Sequence, residues 1–103
     1  MYKLTVFIPD NVLESVKTAL FNAGAGTIGN YEQCCWQVQG TGQFKPLAGS
    51  TPHIGMHDKL EEVDEWRVEM VVDEDVINEV IAALKEAHPY ETPAYDVMKV
   101  LDF

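Results

Sequence analysis

Apolar positions change their period several times along the chain, and each change marks an element. Residues Lys3 to Ile8 alternate and are rich in β-formers, and Pro9-Asp10 then supplies a strand stop and a helix N-cap. Downstream, Val12, Leu13, Val16, Leu20 and Ala23 recur at helical spacing, with Glu14, Lys17 and Asn22 on the other face. Gly24 and Gly26 end that helix. Tyr31 to Gln39 reads as a second strand, closed by Gly40-Thr41-Gly42. Glu65 to Val72 reads as a third, after which Asp73 caps a second helix carrying Val76, Ile77, Val80, Ile81, Leu84 and Ala87. Ala94 to Leu101 completes the set as a fourth strand.

The pattern repeats. A shift of 64 residues carries Val12, Leu13, Val16, Leu20 and Ala23 onto Val76, Ile77, Val80, Leu84 and Ala87, and Tyr31 onto Tyr95. A β-α-β unit occurring twice gives βαββαβ, an α+β ferredoxin-like sandwich with an antiparallel sheet and both helices on one face. The expectation is therefore a single domain over residues 1–103. In such a sandwich one sheet face meets water and strands alternate cleanly. Here Phe7, Val71, Met98 and Val100 fall on the face opposite the main apolar rows, which predicts that the second face is covered by sister chains.

Charge narrows the partners. Asp and Glu total 17 against 7 Lys and Arg, a formal net charge of −10. The cations Lys3, Lys17, Lys45, Lys59, Arg67, Lys85 and Lys99 are dispersed, which argues against nucleic acid and against anionic membrane surfaces. No apolar run approaches the ~20 residues of a membrane-spanning helix. The first nine residues read as a strand with a proline stop rather than a signal peptide. Cys34 and Cys35 are adjacent, and on a strand would face opposite sides, which disfavours a cross-link and places them as buried-strand residues. A reducing cytoplasm is the matching compartment.

Candidate chemistry gathers in two places. One is His88-Pro89-Tyr90-Glu91-Thr92-Pro93-Ala94-Tyr95, a stiff link between the second helix and the fourth strand that presents imidazole, phenol and carboxylate. As a site, His88, Tyr90 and Glu91 would form a ligand-contacting rim at a subunit junction; as a plain corner, Tyr90 packs and Glu91 bonds a backbone donor. The same shift of 64 puts this corner on Gly24-Ala25-Gly26-Thr27-Ile28-Gly29, a flexible counterpart without that chemistry. The second place is the long segment at about 40–62. There Gly40 and Gly42, with Phe44, Lys45 and Pro46, suggest either an anion-binding backbone nest or strand termination and a tight turn with Phe44 tucked into the core or an interface. His53, His57, His88 and Glu91 have the donor types for a divalent metal, although Pro52 and Gly55 oppose the helix that the 53–57 spacing would need. The plainer reading has His53 and His88 hydrogen-bonding backbone groups. Ser15 and Ser50 lack a nucleophile-elbow motif.

Four ordered motifs, Gly-Thr-Gly-Gln-Phe-Lys-Pro at 40–46, Thr-Pro-His-Ile-Gly at 51–55, Val63 to Glu69 and His-Pro-Tyr-Glu-Thr-Pro-Ala-Tyr-Asp at 88–96, resemble the YqfO-like domain. In longer members of the NGG-interacting-factor family this domain is an insert between two metal-binding halves, and it is similar to the trimeric CutA and PII signalling folds. The resemblance covers nearly the whole chain. It implies a homotrimer whose ligand sits in clefts between subunits near the long loop. The flanking halves that carry the family's paired metal site have no counterpart in these residues, so metal-dependent hydrolysis is not expected from them. The expected function is a non-enzymatic, cytoplasmic, cofactor-free module that binds a small ligand or a partner protein. The alternatives are a CutA-like metal-binding protein for divalent cation tolerance and, last, acid–base catalysis by His88 and Glu91.

Overall fold

The computed structural model describes residues 1–103. Strand β1 (Tyr2–Pro9) leads through a 3-10 turn (Asp10–Val12) into helix α1 (Leu13–Asn22). Strands β2 (Trp36–Phe44) and β3 (Glu61–Val72) follow, then a second 3-10 turn (Glu74–Val76), helix α2 (Ile77–Ala87) and strand β4 (Tyr95–Lys99). The sheet order is β2-β3-β1-β4 with every neighbouring pair antiparallel, which is the expected ferredoxin-like plan.

Alternation along the strands builds the core. Leu4, Val6 and Ile8 pair opposite Met70, Val68 and Trp66, so one face of the two central strands is apolar. Against it pack Leu13, Val16 and Leu20 of α1 and Val80 and Leu84 of α2, in a cluster of 12 buried residues. Each complete burial of such a side chain contributes about 1.5–3 kcal/mol. Gly24 and Gly26, at φ +112° and +78°, turn the chain out of α1 in the left-handed region that glycine tolerates.

The internal repeat holds for the helices and slips in the connectors. The two 3-10 turns and the starts of the two helices are 64 residues apart. In the sheet, however, Lys3 pairs with Met98 while Arg67, 64 residues on, pairs with Val38. Val38 thus matches Met98 at a spacing of 60, and the first connector carries four additional residues. Tyr31 is not the counterpart of Tyr95; it forms an isolated bridge with Ile28. Residues 24–35 make a compact loop in which Gly26 N–H donates to Val71 O (2.8 Å) and Cys34 N–H to Gly26 O (2.8 Å). The second strand therefore begins at Trp36 rather than Tyr31. Cys34 and Cys35 lie outside it, half-buried and exposed respectively, with free thiols, so the expectation of buried strand cysteines fails.

Other expectations are corrected at the ends of elements. Gly40-Thr41-Gly42 is inside β2 and does not close it; the loop between β2 and β3 covers residues 45–60. β3 outruns β1, and its first residues pair only with Thr41 to Phe44, making a two-stranded arm on a molecule of 46 × 24 × 24 Å. Asp10 caps nothing through its side chain: its Oδ1 accepts the Trp66 indole N–H at 2.7 Å. Asp73 does occupy the N-cap position, yet its backbone carbonyl, not its side chain, bonds Val76 N–H (3.2 Å).

The sheet face away from the helices carries Phe7 and Val71, both half-buried, with Trp36, Val38 and Met98 exposed. The Arg67 guanidinium lies 5.8 Å from the centre of the Trp36 ring, and Lys3 pairs with Glu69 at 3.5 Å. No helix is long and apolar enough to cross a membrane.

Candidate functional site

The corner after α2 is built on a buried histidine. His88 precedes Pro89, which forces an extended backbone (φ −73°, ψ 131°) and ends the helix. Its side chain is 4% exposed. Nδ1 accepts the Tyr90 backbone N–H at 3.2 Å, so Nε2 carries the proton and donates to Phe7 O at 2.7 Å. Burial pushes the His88 pKa below its ordinary value, outweighing the Phe7 hydrogen bond and the Glu65 charge that would raise it. His88 thus ties the corner to β1 as a neutral imidazole. It sits behind the site.

In front of it stands Tyr90. Its ring packs on His88 (centroids 4.9 Å apart), Phe44 (5.9 Å) and His53 (6.3 Å), all tilted. Its hydroxyl donates to Glu65 Oε2 at 3.1 Å. Burial, and after it the charge and hydrogen bond of Glu65, push the phenol up to about 12, so it remains a neutral donor. Glu65 explains a glycine on the neighbouring strand: a Cβ at Gly42 would collide with the Glu65 carboxylate. Gly40 and Gly42 lie in the ladder opposite Glu65 and Val63, so no anion-binding nest forms there. They line a shallow groove on the second sheet face, beside the site rather than in it.

The 45–60 loop folds back over the corner. Thr51 N–H donates to Glu91 Oε1 (3.0 Å), and within the loop the His57 ring bonds Ser50 O (2.8 Å) and Asp58 N–H bonds Pro46 O (2.6 Å). Between loop, corner and arm opens a cleft of about 290 Å³, walled by Phe44, Pro52, His53, Glu65, Tyr90 and Glu91. Of the ligand candidates, Phe44, Pro46, Tyr90 and Glu91 line it, whereas Gly40, Gly42, Lys45 and His88 do not. Phe44 is a wall of the cleft, not a core residue.

The metal candidates do not assemble within one chain. No three His, Cys, Asp or Glu side chains converge to hold an ion. Both ring nitrogens of His88 are taken by backbone partners, and the His57 ring bonds Ser50 O. His53 makes no hydrogen bond; its exposed ring stacks near Tyr90. Sequence reasoning missed Glu65, which it placed only as the start of a strand. Nothing in the spacing of Glu65 and Tyr90 joins them; only the pairing of β2, β3 and β1 does.

The chain matches no protein-family model. It is 48% identical over 97 residues to a protein of Halalkalibacterium halodurans named GTP cyclohydrolase 1 type 2 homolog, covering 94% of this chain and 26% of that protein. The chain spans about a quarter of the length of the curated relatives it matches. Among solved structures it is similar to a Bacillus cereus protein related to NIF3, with a TM-score of 0.79 and 43% identity over 93% of this chain and 24% of that one. It also superposes on CutA1 of Pyrococcus horikoshii with a TM-score of 0.70 and 22% identity, covering 100% of this chain and 86% of that one; that likeness concerns the fold.

Proposed function

We propose that this chain, which is homologous to the CutA/PII-like domain inserted in the NIF3-related proteins, is a self-associating, non-catalytic module that binds a small ligand in the cleft between its long loop and the His-Pro-Tyr-Glu corner. One observation carries the reading. The cleft is held open by contacts from three separate parts of the chain: Tyr90 to Glu65, Glu91 to Thr51, and His88 to Phe7. A rigid wall with exposed aromatic faces is what a preformed ligand site requires.

Self-association is supported by Trp36, Val38 and Met98, which stand exposed on the sheet face that the helices leave bare. The fold shared with CutA makes a trimer the reading we adopt. The non-catalytic reading is supported by His88, which is buried behind Tyr90 with both ring nitrogens bonded to the backbone and so is not free for acid–base work with Glu91. The activity in the relatives' name is not assigned to this chain.

Two measurements test the reading. Light scattering at micromolar concentration should give the mass of three 11.5 kDa chains, and a monomer would overturn self-association. A thermal-shift screen of metabolites should find a compound that raises the melting temperature in the native protein but not in Tyr90→Ala. If no compound stabilises the protein, the small-ligand reading is wrong.

A further inference from the structure

The charge and shape of the cleft point to a ligand class. We propose that it takes a small organic cation: an ammonium or guanidinium group on a short apolar stem. This deepens the small-ligand reading and rests on it.

The lining holds two carboxylates, Glu65 and Glu91, and neither lysine nor arginine. Neither carboxylate belongs to an ion pair; the chain's salt bridges use Glu14, Glu69 and Glu74. Each has one oxygen engaged and one without a donor. Glu65 Oε2 accepts the Tyr90 hydroxyl and leaves Oε1, while Glu91 Oε1 accepts Thr51 N–H and leaves Oε2. Two carboxylates in a lining without a cationic side chain call for a ligand that carries positive charge, because charge-assisted bonds to carboxylate are the strong ones. A phosphate-bearing ligand would instead meet two negative charges and no cation.

The remaining walls fit the rest of such a molecule. The rings of Phe44 and Tyr90, tilted at 55° to each other, both line the cleft, and such rings attract cations through their quadrupoles. Pro46, Pro52 and Ile54 supply apolar surface for a stem. About 290 Å³ is near the lower end of small-molecule sites, which fits one compact ligand. The net charge of −10 raises the local concentration of any cation around the molecule.

A matched pair of probes isolates the charge: n-butylguanidinium and the equally flat but neutral n-butylurea, titrated calorimetrically into the intact chain. The guanidinium should bind at least about tenfold more tightly than the urea. Glu65→Gln and Glu91→Gln should each weaken it by about tenfold or more, the worth of one hydrogen bond to a charged group. Glu86→Gln, an exposed acid on α2 away from the cleft, should leave binding unchanged. Circular dichroism establishes that the variants fold, and exposed Glu91 carries the test if Glu65→Gln does not. Equal binding of the urea overturns the proposal, as does equal weakening by Glu86→Gln, which would reveal diffuse acidic attraction. If neither n-butylguanidinium nor n-butylammonium binds while a neutral or anionic metabolite does so in a Tyr90-dependent way, the cation class falls and the ligand-binding reading stands. If no small molecule binds, both fall.

Discussion

Replacing Tyr90 with phenylalanine removes one oxygen and leaves the ring. In the native chain that oxygen donates to Glu65 Oε2 at 3.1 Å, in a half-buried setting. The ring contacts with His88, Phe44 and His53 persist in the variant, so the change isolates the hydrogen bond. A bond to a charged acceptor is worth about 1.5–3 kcal/mol when its loss strands the partner. Glu65 is only half-buried and water can replace part of the bond, so about 1–2 kcal/mol is expected. With a urea m-value of about 1–3 kcal/mol/M for a small protein, the unfolding midpoint should fall by roughly 0.3–2 M. Trp36 and Trp66 provide the fluorescence signal, and protein concentration is held fixed because association shifts apparent stability. A double-mutant cycle with Glu65→Gln should return a coupling of about 1 kcal/mol. A Phe variant as stable as the native chain, or a coupling of zero, would refute the account of how the cleft is held.

Three further outcomes follow from the same structure. His88 has a lowered pKa, so the unfolded chain takes up its proton first: the contribution of His88 is full above about pH 6.5 and declines as pH falls from there toward its folded value, by up to about 1.4 kcal/mol per pH unit. Urea midpoints measured from pH 8 to 5 should show this decline in the native chain and lose that component in His88→Gln. Leu84→Ala, at a fully buried position between α2 and the sheet, should cost about 2–5 kcal/mol in the same assay. Met98→Glu, on the bare sheet face, should lower the mass seen by light scattering toward one 11.5 kDa chain while far-UV circular dichroism stays unchanged.

The helices and the topology were legible because burial imposes a period on them. Val16, Leu20, Val80 and Leu84 are all buried, and their spacing announces both the faces and the repeat. Where backbone pairing rather than side-chain period decides, the sequence misleads. Tyr31, Cys34 and Cys35 favour strand locally, but Gly26 ties this stretch to Val71 and delays β2 to Trp36. Gly40-Thr41-Gly42 has turn composition, yet it lies in the ladder, and the glycine at 42 makes room for the Glu65 carboxylate. Asp10 has the residue type of a cap but is taken by the Trp66 indole from 56 positions away. At the site, the corner's stiffness was readable from Pro89 and Pro93. Its partners, Glu65 and the Phe44 ring, are placed only by sheet register.

The most direct test of the cleft is an amide-resolved NMR titration with the compound that most raises the melting temperature. The account predicts saturable shifts concentrated at residues 43–54, Glu65 and 90–94, the segments that enclose the cleft. Shifts centred instead on Ile28, Cys34 and Trp36, or on the outer face of α2, would contradict it.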